Sequence, residues 1–250
     1  MQESVTIGAC THVGLVRQKN EDCFTVLRRA PDEPCALILA DGMGGHKHGE
    51  LASKVAVDYV SGKLSDLIWQ IPPLDPEQLK QQLTMIVEKA NIKVYLSAIS
   101  DQDCLGMGTT LTVAVLIPDR AVLAHVGDCR AYLLRQGELQ RLTVDHTLVQ
   151  ELVDAGSISL DESLQHPRRN VLTKALGIPD LLTPDTLSIA LTSGDRLLLC
   201  SDGLHSLVTE DVIREQLSQE TTAAEVADEL VRLALELGGE DNITVLTAFV

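Results

Sequence analysis

The stretch from Leu37 to Glu50 reads LILADGMGGHKHGE, and the rest of the chain is organised around it. A short apolar run ends abruptly at Asp41, and three of the next four residues are glycines. This pattern predicts a buried strand that ends at Asp41, followed by a loop whose backbone can pass very close to a bound group. Such a loop can cradle a phosphate or offer carbonyl oxygens to a cation, although an ordinary strand, turn and helix start would also explain it.

The composition is typical of a soluble globular protein. Of the 250 residues, 45% are hydrophobic and only 2% are aromatic, so the core must consist mostly of Leu, Val, Ile and Ala. No apolar run reaches the roughly 18 residues of a membrane span, and the N-terminus does not resemble a secretion signal. We therefore expect a single domain, residues 1–250, which folds as a monomer and does not insert into a membrane.

The six cysteines are scattered and include no Cys-x-x-Cys pair. Most of them lie within or beside apolar runs, which is typical of small core residues in a reducing compartment. This pattern predicts a cytoplasmic location and favours neither a zinc site nor a disulfide.

The formal net charge of −16 excludes some classes of partner. A nucleic-acid partner is disfavoured because no basic face is available to neutralise phosphates, and binding to an anionic membrane is disfavoured for the same reason. The many carboxylates either form a solvated surface or leave some side chains available to a hard cation.

Hydrophobic periodicity predicts an alternation of antiparallel strands and pairs of helices. We predict strands at 5–10, 23–30, 35–40, 109–117, 120–127, 130–136, 186–191, 196–201 and 243–250. Predicted helices cover 50–69, 76–100, 146–155, 209–218 and 222–237. The polar segment 145–175 is interpreted as an excursion from the core that forms a flap. The expected class is α+β, a sandwich with helices packed outside the sheets.

Five aspartates stand at the ends of predicted buried strands: Asp22, Asp41, Asp128, Asp202 and Asp241. Aspartate is common in turns, so any one of them has an ordinary structural explanation. Carboxylates near a core are costly unless they are paired or bind a metal ion, and five together are harder to explain as turns. If the topology gathers them at one sheet edge, they suit Mg²⁺ or Mn²⁺.

An ordered set of motifs carries a family resemblance. The set consists of Asn20-Glu21-Asp22, Asp41-Gly42-Met43-Gly44-Gly45-His46, Gly108-Thr109-Thr110, Gly127-Asp128-Cys129-Arg130, Ser201-Asp202-Gly203 and Asp241-Asn242. No single motif is specific, but their order resembles that of metal-dependent protein phosphatases of type 2C, in particular compact bacterial members. The resemblance implies an α-β-β-α sandwich, with two antiparallel sheets flanked by pairs of helices, and dephosphorylation of phosphoserine and phosphothreonine in proteins.

The resemblance also implies a metal site. Asp41 would bridge two Mn²⁺ or Mg²⁺ ions, with Asp202 and Asp241 completing one site, and Asp22 and the carbonyl of Gly42 completing the other. Two such ions lower the pKa of a bridging water and orient it towards phosphorus, so no protein nucleophile is needed.

Three further roles follow from the same resemblance. Asp128, together with Asp202, would hold a third and weaker ion. Glu21 would act in the outer shell through water. Arg17 matches the arginine that holds the substrate phosphate, a task for which a guanidinium suits because it stays charged and donates two parallel hydrogen bonds. The substrates would be proteins phosphorylated by a serine/threonine kinase.

The chain departs from the family pattern around the proton donor. Eukaryotic members have a histidine directly after Asp-Gly, as a candidate general acid, and Met43 occupies that position here. His46 lies in the same loop, where it is either a proton donor or substrate contact or only a ligand of backbone groups. His12 replaces a common acid and Cys129 a common serine, and we expect both changes to be structural.

Several other polar residues have mainly structural explanations. His125 lies within an apolar strand and is expected to be a satisfied core histidine. Asp145 is predicted to cap a helix, and Asp195 to belong to a turn. Arg168 and Arg169 form a local basic spot, either a solvated loop or a contact to a phosphopeptide.

Two other functions compete with a phosphatase. A two-metal nuclease or phosphodiesterase would share the carboxylates but should show basic tracks for a polyanion, which the charge of −16 argues against. A non-catalytic binding module on the same fold would be expected to lack metal ligands, whereas all five aspartates are present.

Overall fold

The computed structural model describes residues 5–30, 32–43, 48–70 and 75–250. Within these ranges the strands form two antiparallel sheets. The first sheet has the spatial order β1 (Thr6–His12), β11 (Ile243–Phe249), β10 (Arg196–Cys200), β7 (Arg130–Arg135) and β8 (Glu138–Arg141). The second has the order β2 (Asp22–Leu27), β3 (Cys35–Met43), β5 (Leu111–Ile117), β6 (Arg120–Val126) and β9 (Asp185–Ala190), and β4 (Gly108–Thr109) pairs with the end of β3.

Strand β3 is apolar on both faces because it contributes to two separate cores. Leu37 and Leu39 pack between the two sheets, whereas Ile38 and Ala40 belong to the cluster beneath the helices of the second sheet. Successive side chains of a strand point to opposite faces, so a continuous apolar run is what a central, doubly covered strand requires. The run that precedes Asp41 is therefore explained by burial on both sides.

The long helices cover the outer faces of the sheets. Helices α1 (Gly49–Leu67) and α2 (Pro76–Ser100) pack on the second sheet. Helices α5 (Asp202–His205), α6 (Glu210–Ser218) and α7 (Ala223–Glu236) pack on the first. Capping boxes begin α2 and α7, where side chain and backbone satisfy each other's free hydrogen-bonding groups. The predicted α-β-β-α sandwich is confirmed.

The segment between β8 and β9 forms the predicted flap. It contains α3 (Leu148–Asp154) and α4 (Leu160–Leu164), and its stem is closed by an antiparallel bridge between Thr147 and Leu172. The prediction that Asp145 caps the helix is wrong. Thr147 is the N-cap of α3, because its hydroxyl accepts from the backbone N–H of Gln150, and the Asp145 carboxylate binds Arg130 instead.

Strand β8, helices α4 and α5, and the single 3₁₀ turn Gln102–Cys104 were not anticipated. Strand β8 is a short polar strand, and its hairpin depends on left-handed backbone at Gln136 and Gly137, as in a type I′ turn. Helix α5 is a single helical turn that starts at Asp202. None of the helices in the described ranges combines the length and apolar character needed to cross a membrane. All six cysteines are free.

Candidate active site

The predicted aspartates meet at the edge where the two sheets face each other. Asp22 and Asp41 are directly paired across β2 and β3, and the other three border the same cavity of about 270 Å³. The residues that line this cavity are Arg17, Glu21, Asp41, Gly42, Met43, Thr110, Asp128, Asn170, Leu172, Asp202, Asp241 and Asn242. The tertiary structure therefore brings together carboxylates that are remote in sequence, such as Asp22 and Asp241.

Asp41 is held through its backbone by the Gly-Thr-Thr motif. Its N–H donates to the Thr110 hydroxyl at 2.9 Å. Its carbonyl accepts from the Thr109 hydroxyl and from the Thr110 N–H, both at 2.8 Å. These bonds fix the peptide on both sides of the Asp41 side chain, which leaves the carboxylate available to the cavity.

The glycine after Asp41 is required by close packing against α1. A Cβ at Gly42 would overlap the carbonyl oxygen of Gly49, the first residue of that helix. The Gly42 N–H donates to the carbonyl of Glu21 at 3.1 Å, which ties β3 to the loop before β2. Gly42 therefore permits a close approach between the backbone of β3 and that of α1.

Asp22 is supported by a chain of hydroxyls. Its Oδ2 accepts from the Ser201 hydroxyl at 2.8 Å and from the Thr244 hydroxyl at 2.6 Å. Thr11 contacts the Thr244 hydroxyl at 2.8 Å and itself accepts from Asn20, so the chain extends to the motif that contains Asp22. The other oxygen, Oδ1, is buried and has no hydrogen-bond partner among the described residues.

The electrostatics of this site are those of crowded, buried carboxylates. Burial is the main cause that raises the pKa of Asp22 to about 7; the hydroxyls of Thr244 and Ser201 oppose the shift, and the charge of Asp202 adds to it. Burial, followed by the charges of Asp22 and Asp202, raises the pKa of Asp41 well above its usual value. For Asp202, burial and then the charge of Asp241 raise the pKa to about 6.

These features fit divalent cations. Among the described residues, the Oδ1 atoms of Asp22 and Asp202 are buried without a hydrogen-bond donor, which is costly for a carboxylate unless a cation compensates it. Within the described residues no three His, Cys, Asp or Glu side chains form a complete metal-binding cluster. Ions such as Mg²⁺ take one or two carboxylates and complete their shells with carbonyl oxygens and water.

Asp128 follows Gly127 in the turn between β6 and β7. Burial, followed by the charge of Asp202, raises the pKa of Asp128 well above its usual value, so the two carboxylates are close enough to repel each other. Gly127 has a φ of 107°, in the left-handed region, and a Cβ there would overlap the Thr110 side chain. The Asp128 turn therefore depends on glycine for both its conformation and its fit.

Arg17 lies beside the carboxylates at the mouth of the cavity. Its Nη2 donates to Oδ2 of Asp241 at 2.7 Å, and its side chain is 49% exposed. Asn242 fixes the Arg17 loop, because its Nδ2 donates to the carbonyls of Val13 and Lys19, while its Oδ1 accepts from the N–H of Glu21. This explains why the Asp-Asn pair belongs to the motif set.

The remaining predictions have mixed outcomes. His46 lies outside the described residues, and among the described lining residues there is no histidine. Met43 lines the cavity and is 38% exposed, so a thioether stands where eukaryotic members have their histidine. Sequence reasoning missed Asn170 and Leu172 as lining residues, because a flap's position over a site leaves no local signal in the sequence.

Comparison with known proteins agrees with this geometry. Residues 11–237 match the family model described as "Protein phosphatase 2C". The chain belongs to this family.

The protein phosphatase 2C family includes similar curated and solved proteins. A serine/threonine phosphatase of Listeria monocytogenes is 40% identical, covering 94% of this chain and 92% of that protein. The solved serine/threonine phosphatase of S. agalactiae is 35% identical with a TM-score of 0.90, covering 98% of this chain and 99% of that one. The catalytic domain of the serine/threonine protein phosphatase PstP, solved with 2 manganese ions, is 38% identical with a TM-score of 0.83 and 98% coverage of both chains.

These relatives confirm the predicted family, fold and reaction. The chain is a serine/threonine protein phosphatase, a metal-dependent hydrolase of the protein phosphatase 2C family.

Proposed function

We propose that the phosphatase removes phosphate from phosphoserine and phosphothreonine of proteins modified by a serine/threonine kinase, with Mn²⁺ or Mg²⁺ held in the cavity. The ligands of two ions would be Asp22, Asp41, the Gly42 carbonyl, Asp202 and Asp241, and Asp128 with Asp202 would hold a third, weaker ion. The observation that carries this proposal is the pair of buried carboxylate oxygens, on Asp22 and Asp202, for which the described part of the chain supplies no donor. A cation supplies what these oxygens lack.

The chain's own residues provide binding and alignment. Two divalent ions, when bound, activate water as the nucleophile and neutralise charge on the phosphoryl group. Arg17 extends from the cavity mouth and donates to phosphate oxygens, since its guanidinium has five N–H groups and its described contact with Asp241 engages Nη2 alone. Thr109 and Thr110 hold Asp41 in place, so the acidic centre does not move as charge develops.

The proton for the leaving serine or threonine oxygen needs a separate donor. Met43 cannot supply one, because a thioether carries no ionisable proton. We propose His46 for this role, on the ground that it belongs to the same loop and has a side chain suited to proton transfer near neutral pH. Replacement by alanine should slow hydrolysis of a phosphothreonine peptide more than that of p-nitrophenyl phosphate, whose leaving group needs no proton. An equal loss on both substrates would reject His46 as the acid.

The metal mechanism is tested by hydrolysis of p-nitrophenyl phosphate and a phosphothreonine peptide with Mn²⁺, with Mg²⁺ and with chelator. Asp202→Asn should abolish activity with either ion, whereas Asp119→Asn, in the exposed turn between β5 and β6, serves as the matched control. Activity that survives chelation, or that persists in Asp202→Asn, would exclude the mechanism. Hydrolysis of p-nitrophenyl phosphate without hydrolysis of the peptide would point to a different phosphoester.

We also propose that residues 1–250 act as one catalytic domain, as a monomer in the cytoplasm. The free state of all six cysteines supports a reducing compartment. The net charge of −16 supports self-repulsion between copies and disfavours nucleic acid as a partner. Sedimentation equilibrium at physiological salt should return the monomer mass, and a concentration-dependent increase in mass would contradict this.

A further inference from the structure

The Gly127–Asp128 turn is held by histidines that come from two different parts of the fold. The Gly127 N–H donates to Nδ1 of His146 at 3.0 Å, and the His146 N–H donates to the Gly127 carbonyl at 2.7 Å. His146 lies at the stem of the flap, where its own carbonyl accepts from the N–H of Thr173 at 2.8 Å. One buried residue thus joins the Asp128 turn to both strands of the flap stem.

The second histidine approaches the same turn from α5 and not from the flap. Nε2 of His205 lies 3.0 Å from the carbonyl oxygen of Asp128. His205 belongs to α5, the single helical turn that begins at Asp202. The peptide of Asp128 is therefore connected directly to the element that carries Asp202.

The two rings use opposite nitrogens, and the chemistry of their partners fixes which one donates. A carbonyl can only accept, so Nε2 of His205 must carry a hydrogen. A backbone N–H can only donate, so Nδ1 of His146 must be free to accept. The remaining Nε2 of His146 faces Oδ2 of Asp185 at 3.2 Å, and its ring stacks on His125 with centroids 5.0 Å apart.

The surroundings leave the turn little freedom to adjust. Arg130, two residues after Asp128, forms a bidentate pair with Asp145, which immediately precedes His146. Gly127 packs against Thr110 with no room for a Cβ. A displacement of either histidine would therefore move Asp128, because the Gly127–Asp128 turn cannot change its conformation to compensate.

We propose that His146 and His205 are positioning residues, which hold the Asp128 carboxylate at the separation from Asp202 that the third, weaker ion requires. This inference rests on the proposed function only in taking Asp128 and Asp202 as ligands of that ion. Neither histidine is a ligand or a proton donor in it. Their effect passes through the backbone of residues 127 and 128.

Paired substitutions test the inference, because asparagine and glutamine mimic different nitrogens of histidine. An asparagine amide oxygen can replace an accepting Nδ1, and a glutamine amide nitrogen can replace a donating Nε2. We expect His146→Asn and His205→Gln to retain the weak site, whereas His146→Gln and His205→Asn weaken it. The loss of one buried hydrogen bond predicts weak-site affinity that falls about 5- to 100-fold.

The measurement is calorimetric titration of the chelator-treated, dialysed protein with Mn²⁺, which needs no turnover. His166→Asn and His166→Gln serve as controls, because Nδ1 of His166 accepts from the backbone N–H of Arg168, within the flap and away from the Asp128 turn. Thermal unfolding with chelator present measures the stability of each metal-free variant, so a loss of Mn²⁺ affinity can be distinguished from a loss of folding stability. The inference is supported if asparagine preserves weak-site affinity at position 146 and glutamine preserves it at position 205, while the reverse substitutions lower it. We call this result the crossed pattern.

Three results would overturn it: both substitutions at a position weaken the ion equally, none of the four changes the weak site, or the wild-type protein shows no weak site. These results differ from failure of the proposed function. That failure would appear as a wild-type protein that binds Mn²⁺ with the crossed pattern intact but hydrolyses no phosphopeptide.

Discussion

Removal of the Thr244 hydroxyl should weaken metal binding through Asp22, a residue from the opposite sheet. Thr244→Val keeps the shape of the side chain and removes the 2.6 Å hydrogen bond to Oδ2 of Asp22. This bond favours the ionised carboxylate, and it opposes the burial that raises the pKa of Asp22 to about 7. The substitution therefore raises that pKa further, and an ion must then displace a proton more often.

The magnitude follows from the strength of one such bond. A hydrogen bond to a charged group contributes roughly 1.5–3 kcal/mol, and one pKa unit corresponds to about 1.4 kcal/mol, so the pKa should rise by about 1–2 units. Asp22 is about half ionised near pH 7 in the metal-free protein. A rise of 1–2 units leaves roughly a tenth to a hundredth ionised at that pH, so Mn²⁺ affinity should fall about 5- to 50-fold.

Thr247→Val provides the matched control on the same strand. Thr247 is also fully buried, but its hydroxyl donates to the carbonyl of Ala223 at 2.8 Å and not to a carboxylate. Both variants should lose about 1 kcal/mol or more of unfolding free energy, and only Thr244→Val should lose Mn²⁺ affinity. In calorimetric titrations over a pH series, the affinity difference should shrink about two pH units above neutrality, where at least half of the Asp22 carboxylates are ionised in both proteins. Equal losses in the two variants, or a difference independent of pH, would refute this account of Asp22.

Three further predictions concern the same region. Arg17→Lys should lower kcat/KM for a phosphothreonine peptide roughly 10- to 100-fold, mainly through KM, because an ammonium cannot donate two parallel hydrogen bonds; an unchanged KM in steady-state kinetics would contradict this. Asp22→Asn should abolish activity yet stabilise the metal-free protein by up to about 4 kcal/mol at high pH, as measured by urea unfolding with chelator. The sign follows because the folded pKa of about 7 exceeds the unfolded value near 3.8, so the wild-type carboxyl costs stability as pH rises through that window; a gain that was larger at pH 4 than at pH 8 would reject it. Gly127→Ala should cost roughly 2–5 kcal/mol in the same assay, through left-handed strain and overlap with Thr110, whereas Gly137→Ala has only the strain; equal costs would contradict the packing argument.

Local patterns predicted most of the secondary structure. The apolar run 37–40 and the periodic stripe of α2 identify their elements because burial imposes a period on nearby residues. Such signals fail where burial is slight. Strand β8 alternates half-buried with exposed residues, and α5 is only one helical turn, so neither produces a period long enough to detect.

Some residues of the candidate site were identifiable from local sequence, whereas others were not. Asp41 and Asp128 were identifiable because each stands beside glycine at the end of an apolar run, which is a local feature. The partners that support them have no such signal. Thr244 reaches Asp22 from 222 positions away, and His205 reaches Asp128 from 77 positions away, so these contacts exist only after the sheets have paired.

The sequence by itself determined that the apolar run LILA would be a buried strand leading to the carboxylate of Asp41, because a hydrophobic run acts on its immediate neighbours. The predicted end of this strand was wrong, since β3 continues to Met43. The sequence also determined, through the order of its motifs, the family to which the chain belongs. Only the tertiary structure decided that Asp22 lies opposite Asp41 and that two histidines hold the Asp128 turn. It also decided which oxygens of Asp22 and Asp202 find no donor in the described part of the chain. These properties depend on distances between residues that are remote in sequence, and strand pairing and sheet packing set those distances.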